Sequence, residues 1–265
     1  MHPGTSTGLL RLAAGLSGNP DGLKAAGEVC ARVAEGLGAG AVDLAILFVS
    51  HEHVPQMDLI AGAIRRELHV DCLVGVSGEG VVGGRTEVER APGVSLLVAR
   101  LPGVSLVPFS GEELMPYEDS ADGIARFGRA FGADGEMRSC FIFADPYSVP
   151  MNGLLSAMNR ARADGRVGAI IGGMASGATS DGGHALVLDD GIYRSGLVGV
   201  SLRGAVRVDA VVSQGCRAFG PNFIITKAKK NVIFELSGRP ALHVVRDLVE
   251  ELGPQDQEQL NRRGL

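Results

Sequence analysis

At 265 residues, 45% apolar and 21% charged, the chain suffices for one large domain or for one domain and part of a second, and its composition excludes disorder over most of its length. Its 25 basic and 30 acidic side chains give a net charge of -5 with no block of like sign, which gives no support to a nucleic-acid partner; the short Lys227–Lys230 stretch has no interleaved aromatics and reads as a solvated loop or strand end. No run approaches the roughly 18 unbroken apolar residues of a spanning helix, and the patch Leu9–Leu16 is interrupted by Arg11, so neither membrane anchor nor signal peptide is expected.

In chain order, Asp21 is placed to cap a helix whose apolar positions Leu23, Ala26, Cys30, Val33 and Leu37 follow helical spacing, with Gly38 to end it. The continuous apolar run Leu44–Val49 is too short for a helix and predicts a strand covered on both faces. Met57, Ile60, Ala61, Ile64 and Leu68 mark a second helix. Cys72–Val76 is a strand entering the glycine-rich segment Gly75–Gly84, and another strand, Val94–Leu101, follows Pro92-Gly93. A second stretch repeats the order: strand Cys140–Ala144, a helix opened by Pro150 and carried by Leu154, Leu155 and Met158, strand Val167–Ile171, glycine-rich Gly172–Gly183, and strands Ala185–Leu188 and Gly196–Leu202.

Aligning Ile46 with Ile142, Gly75 with Gly172 and Gly80 with Gly177 keeps a nearly constant offset, which implies a duplicated βαβ-plus-β unit. The expected fold class is α/β (α+β), with duplicated units forming mixed sheets flanked by helices. The first domain is expected over residues 1–203, with halves at about 20–110 and 115–203. Closely spaced strands Val206–Ser213, Phe223–Thr226 and Asn231–Leu236, then a helix over Pro240–Leu252, read as the start of a second α+β domain over 204–265 that stops short.

Gly78-Glu-Gly-Val-Val-Gly83 is a GxGxxG after a strand, but no helical periodicity follows it and Arg100 stands where an acid is wanted, so a dinucleotide site is not expected. Glycine also permits close backbone approach to a ligand. Ser77, Gly78, Glu79 and Gly80 from one half, with Gly172, Gly173 and Ser176 from the other, are candidates to line one cleft; tight turns without a ligand are the competing reading. His51-Glu52-His53 follows a strand end but lacks a third ligand at zinc-like spacing, so no metal is expected, and no GxSxG or catalytic triad is present. Four cysteines, Cys30, Cys72, Cys140 and Cys216, form no CxxC pair and predict free thiols in a reducing, cytoplasmic compartment. Cys216 lies beside Arg217, which could lower its pKa; a thiol hydrolase is the enzymatic alternative, although no partner base is nominated.

Residues 43–48, Leu73–Gly80, Pro92–Leu97, Gly215-Cys-Arg217, Gly220-Pro221 and Gly238–Leu242 together resemble the FIST family, its N-terminal domain and the beginning of its C-terminal domain, over about residues 10–252. The resemblance implies a bacterial, intracellular sensory module, not an enzyme, that binds a small molecule such as an amino acid and acts through a separate signalling protein. It carries over to Ser77, Gly78, Glu79, Gly80, Cys216 and Arg217. Glu79 and Arg217 would complement a zwitterion. The resemblance also raises haem, but no cofactor is expected from the residues, since nothing marks His51, His53 or His184 as an axial ligand. An interaction scaffold without a small ligand is the third reading.

Overall fold

The computed structural model describes residues 9–38, 40–114, 120–162, 168–212, 220–229 and 232–263. Cys216 and Arg217 lie outside them. The first half of the larger unit runs β1 (Arg11–Ser17), α1 (Gly22–Leu37), β2 (Val42–Ser50), a 3-10 turn (His51–Gln56), α2 (Met57–Leu68), β3 (Val70–Gly78), the hairpin β4 (Gly80–Gly83) and β5 (Thr86–Glu89), and β6 (Val94–Arg100). The second runs β7 (Val104–Ser110), the short α3 (Gly111–Leu114), α4 (Ala121–Ala130), β8 (Met137–Ala144), α5 (Met151–Ala161), β9 (Ile170–Met174), the hairpin β10 (Leu186–Leu188) and β11 (Gly191–Tyr193), and β12 (Leu197–Gly204).

One sheet has the order β1-β6-β2-β3-β10-β11 and the other β7-β12-β8-β9. The first four strands of each match in order and direction: the pairs β2·β3 and β8·β9 are parallel, and the remaining pairs of both sets are antiparallel. Even the strand ends correspond. Ser50 N–H donates to the Gly93 carbonyl and Gly93 N–H to Ser50 Oγ; Asp145 N–H donates to the Gly196 carbonyl and Gly196 N–H to Ser148 Oγ.

Alternation along the strands builds four layers. Ala45, Leu47 and Val49 of β2 pack with Val29, Val33, Met57, Ile60 and Ile64 of α1 and α2. Leu44 and Ile46 face the other sheet, meeting Phe143, Val198, Val200 and Leu202. Beyond that sheet Ile142 and Ala144 pack with Phe127, Phe131, Ala157 and Met158 beside and on α4 and α5. The mixed sheets flanked by helices are the fold class expected from the sequence.

The helix starts follow their capping residues. Asp21 Oδ1 accepts from the N–H groups of Leu23 and Lys24 at 3.1 Å, and Ser120 Oγ accepts from Gly123 N–H at 3.0 Å. Among the described residues, no helix is long and apolar enough to cross a membrane.

Three details differ from the sequence reading. Residues 206–212 form no strand. Gly172 and Gly173 lie inside β9, so the second glycine-rich segment begins as strand. The pairing of Leu47 with Gly75 and of Ile142 with Gly172 makes Leu47, not Ile46, the counterpart of Ile142. A one-residue slip matters because it exchanges faces: Ile46 belongs to the core between the sheets, Ile142 to the core under the helices.

The second unit, Val211–Leu265, is compact by itself. It holds β13 (Ile225–Lys229), β14 (Val232–Leu236), the two-residue β15 (Arg239–Pro240), α6 (Ala241–Glu250) and α7 (Pro254–Arg263).

Candidate functional site

The ends of β3 and β9 meet. Ser176 N–H donates to the Ser77 carbonyl at 3.2 Å, and Glu79 N–H donates to Ser176 Oγ at 3.0 Å. Ser77, only 1% exposed, is fixed in turn by Ala185: its N–H donates to the Ala185 carbonyl at 2.9 Å, and its Oγ accepts from Ala185 N–H at 3.0 Å. Gly177 closes the junction with φ +94°, and a Cβ there would stand 2.9 Å from that of His51 and 3.2 Å from Glu79 Cα. Only glycine combines that backbone conformation with that approach.

Beside this junction the sheets part around a recess of about 410 Å³. Ile46, Phe48, Val76 and Leu97 line it from one sheet, and Phe141, Phe143 and Ile171 from the other; Phe48 meets Phe143 edge-on with ring centroids 5.5 Å apart. Of the candidates from sequence, Ser77, Gly78, Gly80, Gly172 and Gly173 border the recess. Glu79 is exposed and, with Ser176, holds the junction next to it. Phe48, Phe141 and Phe143 escaped the sequence reading because an aromatic in an apolar strand is indistinguishable there from ordinary core. Other hollows occur among the described residues. One, of about 490 Å³, lies at the C-terminal ends of α1 and α2, and one of about 940 Å³ lies between α5 and the turn before β12. Each is bordered by one half only, whereas the recess draws on both glycine segments.

A buried latch anchors the second glycine-rich segment. Asp145, at the end of β8, and His184 are 0% and 1% exposed, with His184 Nδ1 2.9 Å from Asp145 Oδ1. His184 Nε2 accepts from Ala178 N–H at 3.3 Å, which places the ring proton on Nδ1, donating to the carboxylate. Asp145 Oδ2 accepts from the Ser148 N–H and hydroxyl at 2.9 and 2.6 Å. Tyr147 stacks on the imidazole at 5.7 Å. Burial pushes the Asp145 carboxyl up, but the hydrogen bonds from Ser148 and His184 outweigh it and hold it below the ordinary aspartate value. The pair is 39 residues apart with no local motif. It therefore left no signal in the sequence.

With both nitrogens committed, His184 is a clamp and not a base or an iron ligand. His53 is held at one nitrogen: its Nε2 meets the Asn19 carbonyl at 3.0 Å, while its Nδ1 is buried without a hydrogen-bond partner among the described residues and burial pushes its pKa down. Ligation of an iron by His184 would first have to break one of its hydrogen bonds, so that ring does not fit a haem. Among the described residues no cluster of three metal-ligating side chains occurs. The three described cysteines, Cys30, Cys72 and Cys140, are free and buried, and burial pushes their thiols up to about 12. They are protonated and unreactive at neutral pH.

Against known proteins, the family model described as the FIST N domain matches residues 43–239. The uncharacterized protein Rv0628c of Mycobacterium tuberculosis is 35% identical over 254 residues, covering 96% of this chain and 63% of the relative. The uncharacterized protein Mb0898c of Mycobacterium bovis is 33% identical over 257 residues, covering 97% and 63%. The chain thus spans less than two thirds of the length of these curated relatives.

Proposed function

The chain belongs to the FIST family, which is associated with signal-transduction sensing, and from that premise we propose that it captures a small molecule in the recess between its two sheets and reports occupancy to a separate signalling protein. The observation that carries this reading is that the glycine-bearing strand ends of both halves, at Ser77–Gly80 and Gly172–Gly173, border one hollow. Its volume of about 410 Å³ lies within the range of small-ligand pockets, roughly 300–1,000 Å³. The free, buried thiols agree with a cytoplasmic setting. The enzymatic alternative through Cys216 draws no support from the described residues.

A thermal-shift screen of metabolites, including amino acids, nucleotides and haem, tests the reading. A ligand of the native state raises stability by about 2.7 kcal/mol at a hundredfold excess over its dissociation constant. We expect a saturable rise in melting temperature with at least one small-molecule class. No shift with any class would sink the proposal.

A further inference from the structure

Resting on that capture reading, we propose that the recess takes an uncharged, ring-bearing molecule and not a zwitterion. Phe48, Leu97, Phe141, Phe143 and Ile171 supply its walls, and among the described residues no charged side chain borders it. An ammonium or carboxylate placed there would lose its hydration without gaining a partner, whereas an aromatic ring would meet the faces and edges of three phenylalanines. Glu79, the charge nearest in sequence, is exposed and stands outside the lining.

The polar groups that remain are neutral. Ser77 Oγ accepts from Ala185 N–H, and among the described residues no acceptor takes its hydroxyl hydrogen. The Ala169 carbonyl accepts from Cys140 N–H and Ala175 N–H donates to the Ala144 carbonyl, so alternation turns the N–H and C=O of Gly172 away from β8. No described strand covers that edge, whereas β3, the counterpart of β9, is covered by β10. A hydroxyl and a peptide edge orient a ligand without requiring it to be charged.

Gly173 provides the test. Its register with Phe143 places it on the recess side of β9, and a Cβ there meets nothing within 4 Å. A side chain at Gly173 therefore starts on the recess side with its Cβ clear of backbone, so Gly173→Leu is the filling variant, with Gly173→Ala as a smaller filling. Gly153 also has open space around its Cβ but borders the hollow of about 940 Å³, so Gly153→Leu is the control. The probe is N-phenyl-1-naphthylamine, uncharged and fluorescent in apolar surroundings, titrated into each variant beside phenylalanine as the zwitterionic probe. Circular dichroism establishes that each variant is folded.

The expected result is saturable dye binding that weakens by more than about tenfold in Gly173→Leu, weakens less in Gly173→Ala and persists in Gly153→Leu, with no competition from phenylalanine. Dye binding indifferent to Gly173, or absent, overturns the proposal. If phenylalanine binds in a Gly173-dependent manner and the dye does not, the capture reading stands and the uncharged class falls. If neither probe responds to Gly173 and the metabolite screen is also silent, both fall.

Discussion

Asp145 remains ionised in a dry setting because two donors from Ser148 and one from His184 take the place of water around its carboxylate. Asp145→Asn keeps the shape but sets an amide nitrogen against one of those donors, and we expect a loss of about 2 kcal/mol at neutral pH. Because the native pKa is depressed, the carboxylate's contribution is fully present above the ordinary value of 3.8 and is lost as pH falls below it, through the native value. Urea unfolding of wild type and Asp145→Asn from pH 7 to about pH 3 should therefore show a gap that narrows only in acid, below the ordinary carboxylate range. A gap that stays constant to the acid end would mean that the latch acts through shape and not through charge.

Strands β3 and β9 carry their glycines for close backbone contact as well as for any ligand. A Cβ at Gly75 would stand 2.3 Å from the Leu47 carbonyl oxygen, and one at Gly172 only 1.7 Å from that of Ile142. The obstruction is backbone in both cases, so no side chain can swing aside. Gly172→Ala should cost at least about 1–3 kcal/mol in urea unfolding, while Gly173→Ala, one residue on, should be nearly neutral; equal effects would contradict the register of β8 and β9. The same strands explain what the sequence could tell. Leu44–Val49 and Cys140–Ala144 were legible because a strand covered on both faces is apolar throughout. That very uniformity hid which face each residue takes, hence the one-residue slip at Ile142. β1 was not legible: Arg11 begins it, Gly15 interrupts it, and its first residues are exposed. β7 contains Pro108 and is only partly buried, and α4 carries Gly123 and Gly128, poor helix formers whose helix is held by Phe127 packing on Phe131. Of the site, the glycines announced themselves by recurring in both halves, whereas the phenylalanines that wall the recess and the Asp145–His184 latch depend on pairings across the fold that no local pattern records.

At the scale of the whole molecule, the three apolar cores and the recess lie within Met1–Ala210. Val206 and Val208 still pack on the core between the sheets, so the first unit's packing extends past the last strand, which ends at Gly204. The matching strand orders and strand-end clamps give the two halves of this unit the same plan. The unit Val211–Leu265 is built differently. Among its described apolar residues Val244 is buried, whereas Ile224, Ile225, Ile233, Phe234 and Leu242 are exposed, a thinner core than any of the three in the first unit. Stability and capture should therefore both reside in the first unit. A chain ending at Ala210 should unfold in one cooperative transition with its midpoint within about 2–4 °C of the parent, as expected when no more than about 1 kcal/mol is removed, and should keep its Gly173-dependent dye binding. Scanning calorimetry and the same fluorescence titration check the two halves of this expectation separately. A shortened chain that melts cooperatively but no longer binds would move the capture site out of the space between the sheets.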